Sequence, residues 1–189
     1  MGRKISNSRR DVGLGIIVAR MEDHRNGLPP QLKSCGRLKH VMPETSSGNG
    51  SGQVQGLIVD YVGVLDVDDE DARRWRDLFK VVREEGVATA ILSNDEGGPA
   101  ADHIREWEFR GVVDAVVLSG EVGAEKPERA AFQAAADAID VPLEKCTMID
   151  DNISNVHGAI EYGMIGILHT AFDRTVVEIQ SLLGIEGEF

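Results

Sequence analysis

Five side chains in this sequence could do chemistry together, and each follows directly on an apolar run or opens a helix. Asp60 ends the run Leu57-Ile58-Val59, Ser93 ends Val87 to Leu92, and the pair Asp150-Asp151 ends Cys146-Thr147-Met148-Ile149. Lys126 precedes Pro127 at the entry to an Ala-rich stretch. A carboxylate at the end of a strand can serve as a nucleophile or bind a metal. A second carboxylate, Asp151, can share a hard cation such as Mg²⁺ with it through oxygen donors. A serine hydroxyl with nearby backbone N–H groups can hold a phosphoryl oxygen, and a lysine adds a compact positive charge. The set answers one physical problem. A carboxylate that attacks a phosphate dianion is repelled by about 4 kcal/mol per pair of unit charges at 4 Å and an effective dielectric near 20. A divalent cation and a lysine offset that repulsion.

The elements that must position these groups alternate. Short apolar strands are expected at 57–59, 87–92, 112–118, 146–149 and 164–168. Helices are expected at 70–85, 99–110, 127–139, 153–162 and 174–184, the first with Ala72, Trp75, Leu78, Phe79 and Val82 on one face. Repeated strand–helix units imply right-handed crossovers and a five-stranded parallel sheet with helices on both faces. This is a doubly wound, Rossmann-like α/β architecture, in which chemistry sits beyond the carboxyl ends of the strands. Any one of the polar residues reads as an ordinary loop residue. Four such stations at one edge of a sheet do not.

Charge divides the chain. Residues 1–53 carry nine Lys/Arg and four Asp/Glu, a net of +5, and residues 54–189 carry eleven against twenty-eight, a net of −17. An acidic globular part disfavours nucleic acid as a partner of its own surface. No apolar run approaches the ~20 residues of a membrane span. Two cysteines cannot build a disulfide scaffold, so a cytoplasmic protein is expected. Residues 1–53 hold Pro29-Pro30 and a Ser/Gly run ending at Gly52, which read as a flexible basic tail and linker ahead of an α/β domain at 54–189. Arg9-Arg10 only faintly matches a twin-arginine leader, since the apolar run after it is short and charged residues follow at once.

Read in order, these segments resemble the haloacid dehalogenase superfamily, mostly phosphatases and other phosphoryl-transfer enzymes. Leu57 to Leu65 is similar to its first motif, Ala90-Ile91-Leu92-Ser93-Asn94 to the second, Gly123 to Pro127 to the third, and Asp150 to Ala159 to the fourth. The resemblance covers the whole globular part and none of the tail. It implies an Mg²⁺-dependent phosphohydrolase that works through an aspartyl-phosphate on Asp60. Ser93 would hold a phosphoryl oxygen and Lys126 would bridge nucleophile and phosphate. Asp60, Asp151 and the backbone carbonyl of Val62 would ligate the metal, with Asp150, Asn94 and Asn155 in support. The substrate would be a phosphorylated small molecule or macromolecule.

The sequence departs from the family pattern at Val62, where the second aspartate, the general acid/base, is expected. That group typically contributes 10²–10⁴-fold. Alkyl phosphates would therefore react slowly, while acyl phosphates and activated esters need less help. Asp66, Asp68 and Asp69 are candidate substitutes, although a solvated acidic turn explains them as well. The intervals between the motifs leave no room for an inserted cap domain, so an open, capless site is expected, one that a protein partner or an oligomer could complete. The alternative is a catalytically weak or inactive family member with a binding or regulatory role. A response-regulator receiver is excluded because its Asp-Asp pair comes first in the chain, whereas here it comes last. His103, His157 and His169 have no ligand spacing, Trp75 and Trp107 read as core, and Cys146 reads as an inert buried thiol.

Overall fold

The computed structural model describes residues 54–189. The expected tail and linker at 1–53 lie outside the described residues. Five strands, β1 (Gly56–Val59), β2 (Ala88–Ser93), β3 (Ala115–Leu118), β4 (Cys146–Asp150) and β5 (Ile165–Leu168), pair in parallel in the order β3-β2-β1-β4-β5. The chain builds outward from β1 to β3, then returns to the other side of β1 with β4. The direction of winding therefore reverses between β1 and β4, which is where such sheets open a crevice at their carboxyl edge.

Six helices cover the sheet: α1 (Asp69–Glu84), α2 (Asp102–Phe109), α3 (Ser119–Val122), α4 (Arg129–Ala138), α5 (Ile153–Glu161) and α6 (Phe172–Leu183). The strands are apolar on both faces because both are covered. Leu57, Val59, Ile91 and Ile149 pack with Trp75, Phe79, Trp107 and Ile179 on the side of α1, α2 and α6. Ile58, Ala90, Leu92 and Met148 pack with Phe132, Ala135 and Ala159 on the side of α4 and α5. Helix α1 starts where the Asp68 side chain accepts from the N–H groups of Glu70 and Asp71, both at 3.0 Å. It buries Ala72, Trp75, Leu78, Phe79 and Val82, the face read from the sequence.

The expected third strand is too long at its start. The N–H groups of Val112 and Val113 donate to Trp107 O at 2.9 and 3.2 Å and so finish α2 instead. Asp114, which breaks the apolar run, accepts from Thr89 N and Oγ1 at 2.8 and 2.9 Å and pairs with Arg83 at 2.7 Å, anchoring the strand it precedes. Helix α4 begins at Arg129 rather than Pro127, because residues 125–128 form a turn closed by Glu128 N to Glu125 O at 2.7 Å. The single-turn helix α3 was not foreseen. It occupies the interval from Leu118 to Lys126, and α1 and β2 fill most of the interval from Asp60 to Ser93, so neither holds an added domain.

Candidate active site at the carboxyl edge

Strand register brings the candidate residues to one level. Val59 is paired with Ile91 on one side and Ile149 on the other, so the next residue, Asp60, stands beside Asp150, with Ser93 one step further along β2. Asp60 is 7% exposed, Asp150 fully buried, Ser93 and Lys126 buried, and Asp151 exposed.

Lys126 is the hub. Its Nζ lies 2.7 Å from Asp60 Oδ1 and donates to Asp150 Oδ2 at 2.8 Å. Its backbone is held by Asn94, whose Nδ2 donates to Lys126 O at 2.9 Å and whose Oδ1 accepts from Lys126 N at 2.8 Å. That two-point clamp ties the end of β2 to the lysine turn. Asp150 is fully engaged as well. Asn155 Nδ2 lies 3.1 Å from each of its oxygens, and Asn152 N donates to Oδ1 at 2.8 Å. Asp150 thus orients Lys126 and has no free oxygen to offer. Asp60 Oδ1 also accepts from Tyr61 N at 2.7 Å, and the Tyr61 carbonyl gathers the N–H groups of Val64, Leu65 and Asp66, which fixes the turn beyond the strand.

Oxygen atoms of Asp60, Asp150 and Asp151 lie within 4.8 Å of one another. Three carboxylates face one lysine, so the cluster carries two surplus negative charges. Burial is the main reason that Asp60 is raised from 3.8 to about 6. Lys126 opposes the rise, Asp150 adds to it, and Tyr61 N–H opposes it. A divalent, oxygen-seeking cation fits this donor set and this charge. Among the described residues, the free donors are the second oxygen of Asp60 and the exposed carboxylate of Asp151.

Gly63 was not singled out in the sequence, although it stands in the Leu57–Leu65 segment. Its φ is +81°, and a Cβ there would fall on the Asp151 carboxylate, so only glycine lets the β1 turn lie against that side chain. His169, for which the sequence shows no ligand spacing, follows the end of β5. It is buried, its N–H donates to Asp150 O at 2.9 Å, and its Nδ1 is 2.9 Å from Thr175 Oγ1. Burial lowers its pKa, against the pull of Asp151 and Asp71. Val62 projects outward, 61% exposed. Of the three candidate substitutes for the missing acid, Asp68 caps α1, while Asp66 and Asp69 line a separate cavity of about 180 Å³ with Tyr61 and His103. Trp75 and Trp107 are core, as expected, and burial pushes the Cys146 thiol up to about 12. His157 lies on the exposed side of α5.

The family model for haloacid dehalogenase-like hydrolases matches residues 27–163. The chain belongs to this family. A solved structure of an uncharacterised protein from Corynebacterium glutamicum is 61% identical, with a TM-score of 0.71 over 72% of this chain and 99% of that one. A haloacid dehalogenase-superfamily hydrolase from Ehrlichia chaffeensis shares the fold at 20% identity, with a TM-score of 0.54 over 69% of this chain and 98% of that one. Among curated proteins, the sesquiterpene phosphatase of Aspergillus oryzae is 27% identical over 114 residues, 59% of this chain and 57% of that protein. A phosphatase of Mycobacterium tuberculosis is 31% identical over 90 residues, 47% of this chain and 42% of that protein. The chain spans about half the length of these curated relatives. Among the described residues, no helix is long and apolar enough to cross a membrane.

Proposed function

We propose that the chain is an Mg²⁺-dependent phosphohydrolase that forms an aspartyl-phosphate on Asp60. The observation that carries this reading is the convergence of Asp60, Asp150 and Asp151 around Lys126, with two negative charges left over for a cation. The similarity to two phosphatases agrees with it. So does the shared fold, at 17% identity and a TM-score of 0.50, with a Bacteroides thetaiotaomicron family enzyme solved with magnesium and inorganic phosphate.

Asp60 and Asp151, with the Val62 carbonyl, would hold Mg²⁺. Bound there, the ion supplies charge neutralisation at the phosphoryl oxygens. Asp60 attacks phosphorus through a carboxylate oxygen, and the bond from phosphorus to the leaving oxygen breaks. Lys126 neutralises charge on Asp60 and on the transferred group, with Asn94 and Asp150 fixing its two ends. Ser93 holds a phosphoryl oxygen. Water then attacks the phosphorus of the aspartyl-phosphate and returns Asp60 as the carboxylate. The leaving oxygen receives no proton from position 62, so the reading favours acyl phosphates and activated esters over alkyl phosphates. Residues 54–189 are the catalytic unit in this reading, residues 1–53 an appendage to it, and the substrate is a phosphorylated small molecule or macromolecule.

Turnover of acetyl phosphate and p-nitrophenyl phosphate with and without Mg²⁺, with Asp60→Asn as control, tests the reading. Mg²⁺-dependent release of phosphate, lost in Asp60→Asn, is expected. Folded, Mg²⁺-binding protein that turns over neither compound would overturn it. Val62 would then favour the second reading, a binding protein built on a catalytic frame.

A further inference from the structure

Among the described residues, six large apolar side chains are exposed: Val62, Val67, Phe109, Val122, Ile153 and Val177. Phe109 closes α2 at the other end of the sheet, Val177 lies mid-way along α6, and Val67 lines the Tyr61 cavity. The other three lie on the chain segments that lead into or out of the site's charged residues. Val62, 61% exposed, is two residues past Asp60. Ile153, 43% exposed, opens α5 directly after Asp151 and Asn152, and two residues further on Asn155 holds Asp150. Val122, 43% exposed, ends the α3 turn that leads to Lys126. Scattered apolar residues need no explanation, but three on the three segments that supply the site's charged groups do.

We propose that Val62, Val122 and Ile153 form a subsite for an uncharged, apolar substituent carried by the phosphoryl substrate, which narrows the hydrolase reading above and rests on it. Three side chains cover too little area for a protein interface, which needs roughly 800 Å² per partner. They suffice for a chain of several carbons. The surrounding charge points the same way. Glu96 and Glu125 are exposed beside the Ser93 and Lys126 segments, and the domain is strongly acidic, so a second phosphate or another anionic group on the substrate would be repelled.

Two homologous series test this on the full chain with Mg²⁺. In the first, n-alkylphosphonates from methyl to octyl are titrated by calorimetry. They keep the phosphoryl group and cannot be hydrolysed at a P–O ester, so binding is read without catalysis. In the second, acyl phosphates from acetyl to octanoyl are assayed for kcat/KM. Their leaving carboxylates are alike, so the series varies the tail alone. Affinity and kcat/KM are expected to rise about twofold per methylene, half the logarithmic gain of full burial on an open surface. Ile153→Asn and Val122→Asn should flatten both slopes while leaving acetyl phosphate turnover within about twofold. A flat phosphonate series, or no binding at any length, would overturn the proposal. Steady turnover of acyl phosphates with a flat slope would overturn it and leave the hydrolase reading standing. Length-dependent phosphonate binding without turnover would do the reverse.

Discussion

Asp60 is proposed as the reactive group, and it also carries a folding cost that can be measured. Its carboxyl is raised from 3.8 to about 6, chiefly by burial. A raised acid binds its proton more tightly in the folded state than in the unfolded one. Stability from this group is therefore complete below pH 3.8, declines as pH rises through about 6, and stays low above that. The shift of about two units corresponds to roughly 3 kcal/mol at pH 8. Asp60→Asn removes the charge and keeps an oxygen that can accept from Tyr61 N and Lys126 Nζ. The attraction of Lys126 for that charge is already contained in the shift. Without metal, the variant should be more stable than wild type at pH 8 by up to about 3 kcal/mol, or up to roughly 12 °C in Tm for a domain of this size.

Thermal unfolding of both proteins in EDTA from pH 4 to 8 tests this. The gap should be near zero at pH 4, open between pH 4 and 6, and level off by pH 7. Millimolar Mg²⁺ should raise the wild-type Tm, leave Asp60→Asn nearly unmoved, and so narrow the gap. A variant that is less stable than wild type in EDTA at pH 8, or a gap that does not change with pH, would refute the reasoning. It would mean that Lys126 compensates Asp60 fully and that the site has no surplus charge for a cation to neutralise.

Three further expectations concern neighbouring residues. Gly63→Ala places a Cβ on the Asp151 carboxylate at a φ of +81°, so it should weaken Mg²⁺ binding on the order of tenfold, read from the Mg²⁺ dependence of Tm; an unchanged dependence would remove Asp151 from the metal set. Asn94→Ala removes both hydrogen bonds to the Lys126 backbone and should cost about 1–3 kcal/mol in urea unfolding, with a larger loss in kcat than in KM. Cys146, raised from 9.0 to about 12 by burial, should make wild-type stability fall between pH 9 and 11 by up to about 1.4 kcal/mol per pH unit more steeply than in Cys146→Ala; parallel slopes in the two proteins would contradict it.

The alternation of apolar runs with amphipathic segments made the sheet and its five main helices legible, because burial on both faces leaves continuous Val/Ile/Leu strands and one-sided helices. Boundaries failed where a backbone group found a partner that composition does not reveal. Val112 and Val113 are as apolar as any strand residue, yet their N–H groups close α2 on Trp107. The candidate site was legible because Asp60, Ser93 and the Asp150-Asp151 pair fall at the ends of apolar runs and Lys126 precedes a helix. What the sequence lacked was the division of labour among them. Asp150 and Asp151 are adjacent in the chain and chemically identical. Only the fold shows that one is buried against Lys126, Asn155 and Asn152 while the other faces solvent beside Gly63.

That division has a consequence for how the site can work. Asp150 is fixed by four hydrogen bonds to three residues, and Lys126 is fixed at its Nζ by two carboxylates and at its backbone by Asn94. These groups are already placed and have little freedom to lose when a ligand arrives, which is the condition for electrostatic stabilisation without reorganisation. Among the described residues, Asp60 and Asp151 keep free oxygens, and burial keeps the pKa of Asp60 raised. A frame held this firmly around two unsatisfied carboxylates is costly to fold and has no use in packing. A cation and a phosphoryl group bound as proposed would offset that cost.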